Sequence, residues 1–470
     1  MPSLTITIIL IIGFVVLLSA CTQVGPYHTT ISSKVSGLSD SIDKQHQFDR
    51  VNPGQTNEYQ LGFVEFDEFG HLFNRKQMED VLSQVNDNES RNPIVLVFVH
   101  GWHHNAYPDD DNVQHFGGLL ADVSAAENHL ADTSKRRPVI GIYVGWRGES
   151  IGSNTSSRVK TFTTPLRVAT FWDRKNTAQA IGHGGVVELF SRLSAIRNSH
   201  DNSRLIIIGH SFGGAFTFSA LSQIMMDRLS QPQNQFRGKE GKPIRPLGDL
   251  VVLVNPAFEA MLYRPLFDLS MSREYATAQR PIMAVITTEA DSATRYAFWW
   301  GRLFSTMFDT YADNQGPALN KTAIGHYIPY ITHTLTPVTQ CDEEERMPPT
   351  TEPMALKKYL VKLSAGFRES TQSSHCFNLK TPGHENDAIL MLTRCDAPGK
   401  CDKDLVGDHY IPRGPVAQGL APFHNPFLNI RTNSAVMNGH NDIWNDNLQS
   451  FLRQFVLLSI TDPGALPTIE

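Results

Sequence analysis

Leu205-Ile206-Ile207-Ile208-Gly209-His210-Ser211-Phe212-Gly213-Gly214 is the stretch that decides the fold. Four apolar residues, three of them β-branched, feed directly into Gly-x-Ser-x-Gly, and a helical pattern follows at Phe216, Ala220, Leu221, Ile224 and Leu229. A serine on a sharp strand-to-helix turn occupies a strained backbone, and flanking glycines let neighbouring chain approach where a Cβ would clash. The helix N-terminus behind it favours developing negative charge. A pentapeptide of this kind arises by chance in a chain this long about one time in six. The strand before it and the helix after it therefore carry the specificity, and Ser211 is the candidate nucleophile.

The same alternation continues on either side. Pro93 precedes Ile94–Val99, a continuous apolar run of the kind a strand buried on both faces requires. Similar runs stand at 139–144, 250–254 and 282–287, and residues 61–66 alternate like a strand that turns at 67–70. Helical spacing separates them: Met78, Val81, Leu82 and Val85; then Val113, Phe116, Leu119, Leu120 and Val123; then Ala178, Ile181, Leu189, Phe190, Leu193 and Ile196. Strands and helices alternating at these lengths predict an α/β fold, a mostly parallel sheet with helices on both faces. The pattern closes with a strand at 427–431 and a helix carrying Leu448, Phe451, Leu452 and Phe455 on one face. Two stretches interrupt it. Residues 148–172 are Ser/Thr-rich with scattered aromatics and read as a lid segment or a loop. Residues 336–426 are long, rich in Pro and Gly, and read as an insertion.

Composition narrows the class. The 470 residues are 41% hydrophobic and 19% charged with a net charge of −6, ordinary for a globular protein and giving no reason to expect nucleic acid. Residues 8–18 are almost wholly apolar and end in Leu18-Ser19-Ala20-Cys21, which resembles a bacterial lipobox, although no Lys or Arg precedes the run. That resemblance implies cleavage before Cys21 and lipidation of its thiol. Thr22 after the cysteine implies the outer membrane of a bacterial envelope. An uncleaved anchor helix is the competing reading, and 4–20 is short for a span. The other four cysteines, Cys341, Cys376, Cys395 and Cys401, all lie in the insertion; beyond an inner membrane two disulfides are expected there. Zinc competes, yet no Cys-x-x-Cys pair exists.

With these motifs in place the chain resembles the α/β-hydrolase superfamily from about residue 94 to 460, apart from the insertion. Members carry Ser, then an acid, then His in chain order, the histidine between the last strand and the last helix. Met437-Asn438-Gly439-His440-Asn441-Asp442-Ile443 fills that interval, so the resemblance implies His440 as the base. It implies an acid just beyond the 282–287 strand, where Thr288-Glu289-Ala290-Asp291-Ser292 offers Asp291 first and Glu289 second. Glu259, after the preceding strand, is the variant position. His100-Gly101-Trp102 resembles the superfamily's oxyanion turn, which makes the backbone N–H groups of Trp102 and Phe212 the expected donors and His100 a turn-holding residue. His326 and His333 compete as bases and are read as lid or pocket residues. Neither the histidines at 100, 103 and 104 nor Asp109-Asp110-Asp111 has the spacing of a metal site. No cofactor is expected.

The expected organisation is a signal peptide with lipobox over 1–21, a polar tether over 22–57, a hydrolase core with lid segments over 58–335, the insertion over 336–426, and the final strand, histidine loop and helix over 427–470. The expected function is a serine hydrolase of small-molecule or lipid esters, held at the membrane by its N-terminal lipid. A non-catalytic binding module on the same fold is the alternative.

Overall fold

All six residues of Ile94–Val99 are buried, as are all seven of Arg204–His210 and all eight of Val139–Trp146. Strands so apolar have no face to give to water, and each must be covered by helices on both sides. The computed structural model describes residues 25–30, 46–67, 69–102, 104–130, 136–146, 184–200, 202–231, 243–244, 247–276, 279–297, 309–337, 375–377, 390–394 and 425–460. In chain order its main elements are β1 (Phe48–Val51), β2 (Tyr59–Phe66), α1 (Arg75–Asp87), β3 (Ile94–Val99), α2 (Asp111–Leu130), β4 (Val139–Trp146), α3 (Gly185–Ser199), β5 (Arg204–His210), α4 (Phe212–Ser230), β6 (Leu250–Val254), α5 (Ala260–Met271), β7 (Met283–Thr288), α6 (Gly316–Lys321), β8 (His333–Pro337), β9 (His375–Phe377), β10 (Leu390–Arg394), β11 (Phe427–Thr432) and α7 (Asp446–Ile460).

The strands form one sheet in the order β1-β2-β4-β3-β5-β6-β7-β11-β8-β10-β9. From β2 to β8 every pairing is parallel, while β1 joins one edge and β10 the other in antiparallel register. Alternate residues of each strand feed opposite layers. Val95, Val97 and Val99 pack with α1, α3, α4 and α5, whereas Ile94, Leu96 and Phe98 pack with α2 and α7. Parallel strands share one direction, so the ends of β5, β6, β7 and β11 lie side by side on one edge of the sheet. This is the mostly parallel, doubly covered α/β architecture that the residue pattern predicts.

Two expectations change. The polar stretch 22–57 is not a tether throughout. Residues 25–30 and 46–57 pack on the sheet, with His28 only 1% exposed and stacked on Phe63 at 3.5 Å. Glu65 accepts from the backbone N–H of both Tyr27 and His28 at 2.9 Å. Gln77 donates to the His28 carbonyl at 3.0 Å and to Glu65 Oε1 at 3.1 Å. Attachment through buried polar groups leaves no apolar periodicity for a sequence reading to detect. The insertion, in turn, supplies β9 and β10 to the sheet instead of standing apart from it. Cys21, Cys341, Cys395, Cys401 and the stretch 148–172 lie outside the described residues, and Cys376 is described only as backbone of β9.

Candidate active site

Ser211 is the residue between β5 and α4, and its backbone is in a strained region at φ 55°, ψ −119°. The turn closes because three elements meet without side chains. A Cβ on Gly213 would stand 2.3 Å from the Val99 carbonyl oxygen, one on Gly209 would stand 2.8 Å from the Gly213 oxygen, and one on Gly101 would stand 2.9 Å from Ser211 Cβ. The ends of β3 and β5 and the start of α4 are thereby pressed together, which fixes where the hydroxyl points.

The Ser211 hydroxyl donates to His440 Nε2 at 2.7 Å, and His440 Nδ1–H donates to Asp291 Oδ2 at 2.8 Å. Three side chains 80 and 149 residues apart in sequence form one line of hydrogen bonds at the carboxyl ends of β5, β11 and β7. Asp291 has no exposed surface and Ser211 is 2% exposed, whereas the His440 side chain keeps 17%. Asp291 is held as the carboxylate. Burial pushes its pKa upward, but the His440 ring, the Thr294 hydroxyl and the buried His326 together outweigh burial and bring it down to about 2. Its Oδ1 also accepts the Ala293 and Thr294 backbone N–H groups at 3.0 and 3.1 Å, and its Oδ2 accepts the Thr294 hydroxyl at 2.5 Å.

The histidine loop is clamped from beneath. The Asn255 side chain, at the end of β6, donates to the His440 carbonyl at 2.9 Å and accepts from Thr288 N–H at 3.1 Å. His210 Nε2 reaches the same carbonyl at 3.0 Å. Burial, and then the nearby His440 ring, push the His210 pKa far below the usual range, so the ring is neutral and Nε2 carries its proton. One loop carbonyl thus ties β5, β6 and β7 to His440.

On the expected oxyanion side, His100 is fully buried and burial lowers its pKa to about 4. Its Nε2 accepts the Trp146 backbone N–H at 3.1 Å and its Nδ1–H donates to the Gly101 carbonyl at 2.8 Å, while Trp146 Nε1–H donates back to the His100 carbonyl at 2.8 Å. Both nitrogens are committed to backbone, so the ring shapes the turn that presents Trp102. Phe212 is the first residue of α4, where helical N–H groups have no partner within the helix, and the rings of Trp102 and Phe212 meet edge-on at 6.5 Å.

The other candidates sit elsewhere. Glu289 is turned toward Arg431 at 3.6 Å, Glu259 precedes α5 beside Ala323, and His333 begins β8 with its Nδ1 on the Thr332 hydroxyl at 2.8 Å. Asp110 accepts the Asn112 N–H and pairs with His104 at 2.9 Å, organising the start of α2. His326 differs from its sequence reading: it lies behind Asp291, Nε2 2.9 Å from the Thr294 hydroxyl, with burial lowering its pKa to about 4. Because Thr294 gives its proton to Asp291, its oxygen accepts from His326 Nε2–H.

A family model described as an alpha/beta hydrolase of unknown function (DUF900) matches residues 74–295, a span that includes Ser211 and Asp291 and stops before His440. No curated protein and no solved structure matches the chain.

Proposed function

We propose that this chain, which belongs to the α/β-hydrolase superfamily, is a serine hydrolase that cleaves carboxylic esters through an acyl-enzyme. The observation that carries the reading is the unbroken line from the Ser211 hydroxyl through His440 to a carboxylate with no exposed surface. A serine alone is a poor nucleophile, and a base in contact that is itself oriented by an acid makes it competent.

The steps follow from the geometry. Ser211 Oγ attacks the ester carbonyl carbon as its proton passes to His440 Nε2. Asp291 keeps the Nδ1–H tautomer in place and offsets the charge of the imidazolium that forms. The tetrahedral oxyanion is received by the backbone N–H groups of Phe212 and Trp102. The C–O bond then breaks, the alkoxide leaves with the proton from His440, and the acyl group stays on Ser211. Water enters, gives a proton to His440 and attacks the acyl carbon; the bond to Ser211 Oγ then breaks as His440 returns that proton to Oγ, releasing the acid. Asn255 and His210 hold the base without touching substrate.

Cys21 is proposed as the lipidated first residue of the mature protein, placing the enzyme on the outer membrane of a bacterial envelope. Cys21→Ser is expected to leave the chain without acyl groups by mass spectrometry; acylated Cys21→Ser protein would contradict this. The catalytic reading is tested by turnover of aryl esters of graded acyl length. Wild type is expected to release acid and alcohol and Ser211→Ala to do neither. Equal rates in the two proteins would contradict the reading and favour a non-catalytic binding module.

A further inference from the structure

The exposed large apolar side chains among the described residues are Tyr27, Phe69, Tyr107, Leu262 and Tyr296. All five stand at the carboxyl edge of the parallel strands, the edge that carries Ser211 and His440. Phe69 is three residues past the end of β2, Tyr107 lies in the loop after β3, Leu262 is in the first turn of α5 after β6, and Tyr296 is in the turn after β7. Tyr27 reaches the same edge by docking, its ring edge-on to Tyr107 at 5.8 Å. One exposed apolar residue is ordinary on a soluble surface; that all five stand on the same edge, with Tyr27 and Tyr107 in contact, marks that edge as the one with a partner. At the opposite edge a cleft of about 510 Å³ is lined by Arg50, Arg91, Arg136, Arg137 and Glu58.

The N-terminal segment says what covers the apolar edge. Its dock is built: His28 Nε2 sits 2.7 Å from the Ala106 carbonyl, and Glu65, at the carboxyl end of β2, holds the Tyr27 and His28 N–H groups. Only Thr22, Gln23 and Val24 separate Cys21 from Gly25. Fully extended, that connection reaches at most ~14 Å. A bilayer that holds Cys21 is therefore kept within a few residues' length of Tyr27 and Tyr107. Tyrosines are favoured at the water–lipid boundary, where the ring meets acyl chains and the hydroxyl stays wet.

We propose that the carboxyl edge of the sheet lies against a lipid bilayer, and that the ester cleaved at Ser211 is an acyl ester of a membrane lipid entering from that bilayer. The inference rests on the hydrolase reading for its substrate and on the anchored Cys21 for its geometry. The distribution of exposed side chains stands independently of both.

The test uses the full chain in vesicles of phosphatidylethanolamine and phosphatidylglycerol containing a photoactivatable phospholipid. Crosslinks are expected in peptides carrying Phe69, Tyr107, Leu262 and Tyr296. Crosslinks confined to peptides of the amino edge, around Gly54 and Arg91, would overturn the proposal. In parallel, a soluble short-chain ester and a vesicle-borne phospholipid are offered to two variants. One carries Phe69→Ser, Tyr107→Ser, Leu262→Ser and Tyr296→Ser; the other carries a flexible spacer of about 20 residues between Val24 and Gly25. Both are expected to keep the soluble rate and to lose about tenfold on the phospholipid, as interfacial contact is weakened or the anchor is lengthened. Unchanged phospholipid turnover in both variants would overturn the proposal. Carboxyl-edge crosslinks with no turnover of either ester in wild type would keep the bilayer face and overturn the substrate, a failure of the hydrolase reading that the crosslinks distinguish from a failure of the face.

Discussion

In the proposed hydrolase Ser211 and His440 would act as a unit and Asp291 through His440, and the difference is measurable. Ser211→Ala and His440→Ala are each expected to lower kcat by on the order of a million-fold, and Asp291→Asn by on the order of ten-thousand-fold, the remainder being supplied by the oxyanion donors. Glu259→Gln and Glu289→Gln are expected to stay near wild type in the same assay. If instead Asp291→Asn turns over normally while one of these is inactive, the acid has been misplaced. The three residues were legible in the sequence because the resemblance to the superfamily assigns each to an interval between elements, and the intervals themselves were readable. His210, Asn255 and Thr294 were not legible as supports. Their roles depend on a 3.0 Å approach to one loop carbonyl, a 2.9 Å contact with it, and a 2.5 Å contact with the acid, made across 185 or more residues for the first two. His326 gave no local signal either, because its place behind Thr294 is set by how residues 324–326 pack on β7.

At the scale of elements, continuous apolar runs located β3 to β7, the strand that closes the alternation located β11, and helical spacing located α1, α2, α4 and α7, because burial on one or both faces writes itself into the order of apolar residues. The segment at 25–30 escaped this logic, since buried hydrogen bonds hold it. Removing Glu65 should therefore be costly out of proportion to its size. Glu65→Ala leaves the buried His28 N–H, the part-buried Tyr27 N–H and one Gln77 contact without Glu65, and buried groups left unpaired cost ~1–3 kcal/mol each. A loss of about 3 kcal/mol in urea unfolding is expected, with new proteolytic cuts within the first 50 residues while the rest of the fold persists. Protection of that segment equal to wild type would show that the polar dock does not hold it.

For the whole molecule, three buried neutral histidines set the response to acid. Burial holds His100 and His326 down to about 4 and pushes His210 well below its ordinary 6.5. Between these values the unfolded chain binds protons that the folded chain refuses, so stability is full above pH 6.5 and falls as pH drops toward 4. Each ring contributes up to ~1.4 kcal/mol per pH unit in that window. Asp291 extends the loss further, from its ordinary 3.8 down through about 2. Urea midpoints measured across the series should fall steadily below pH 6.5, less steeply in His326→Gln; a flat profile would mean that these rings titrate freely when folded. The central claim, that the molecule carries an activated serine, is tested most directly by intact-mass and peptide mapping after a fluorophosphonate probe. One adduct per chain, on Ser211 and absent from Ser211→Ala, is the predicted result; an unlabelled wild type, or an adduct on any other residue, would contradict it.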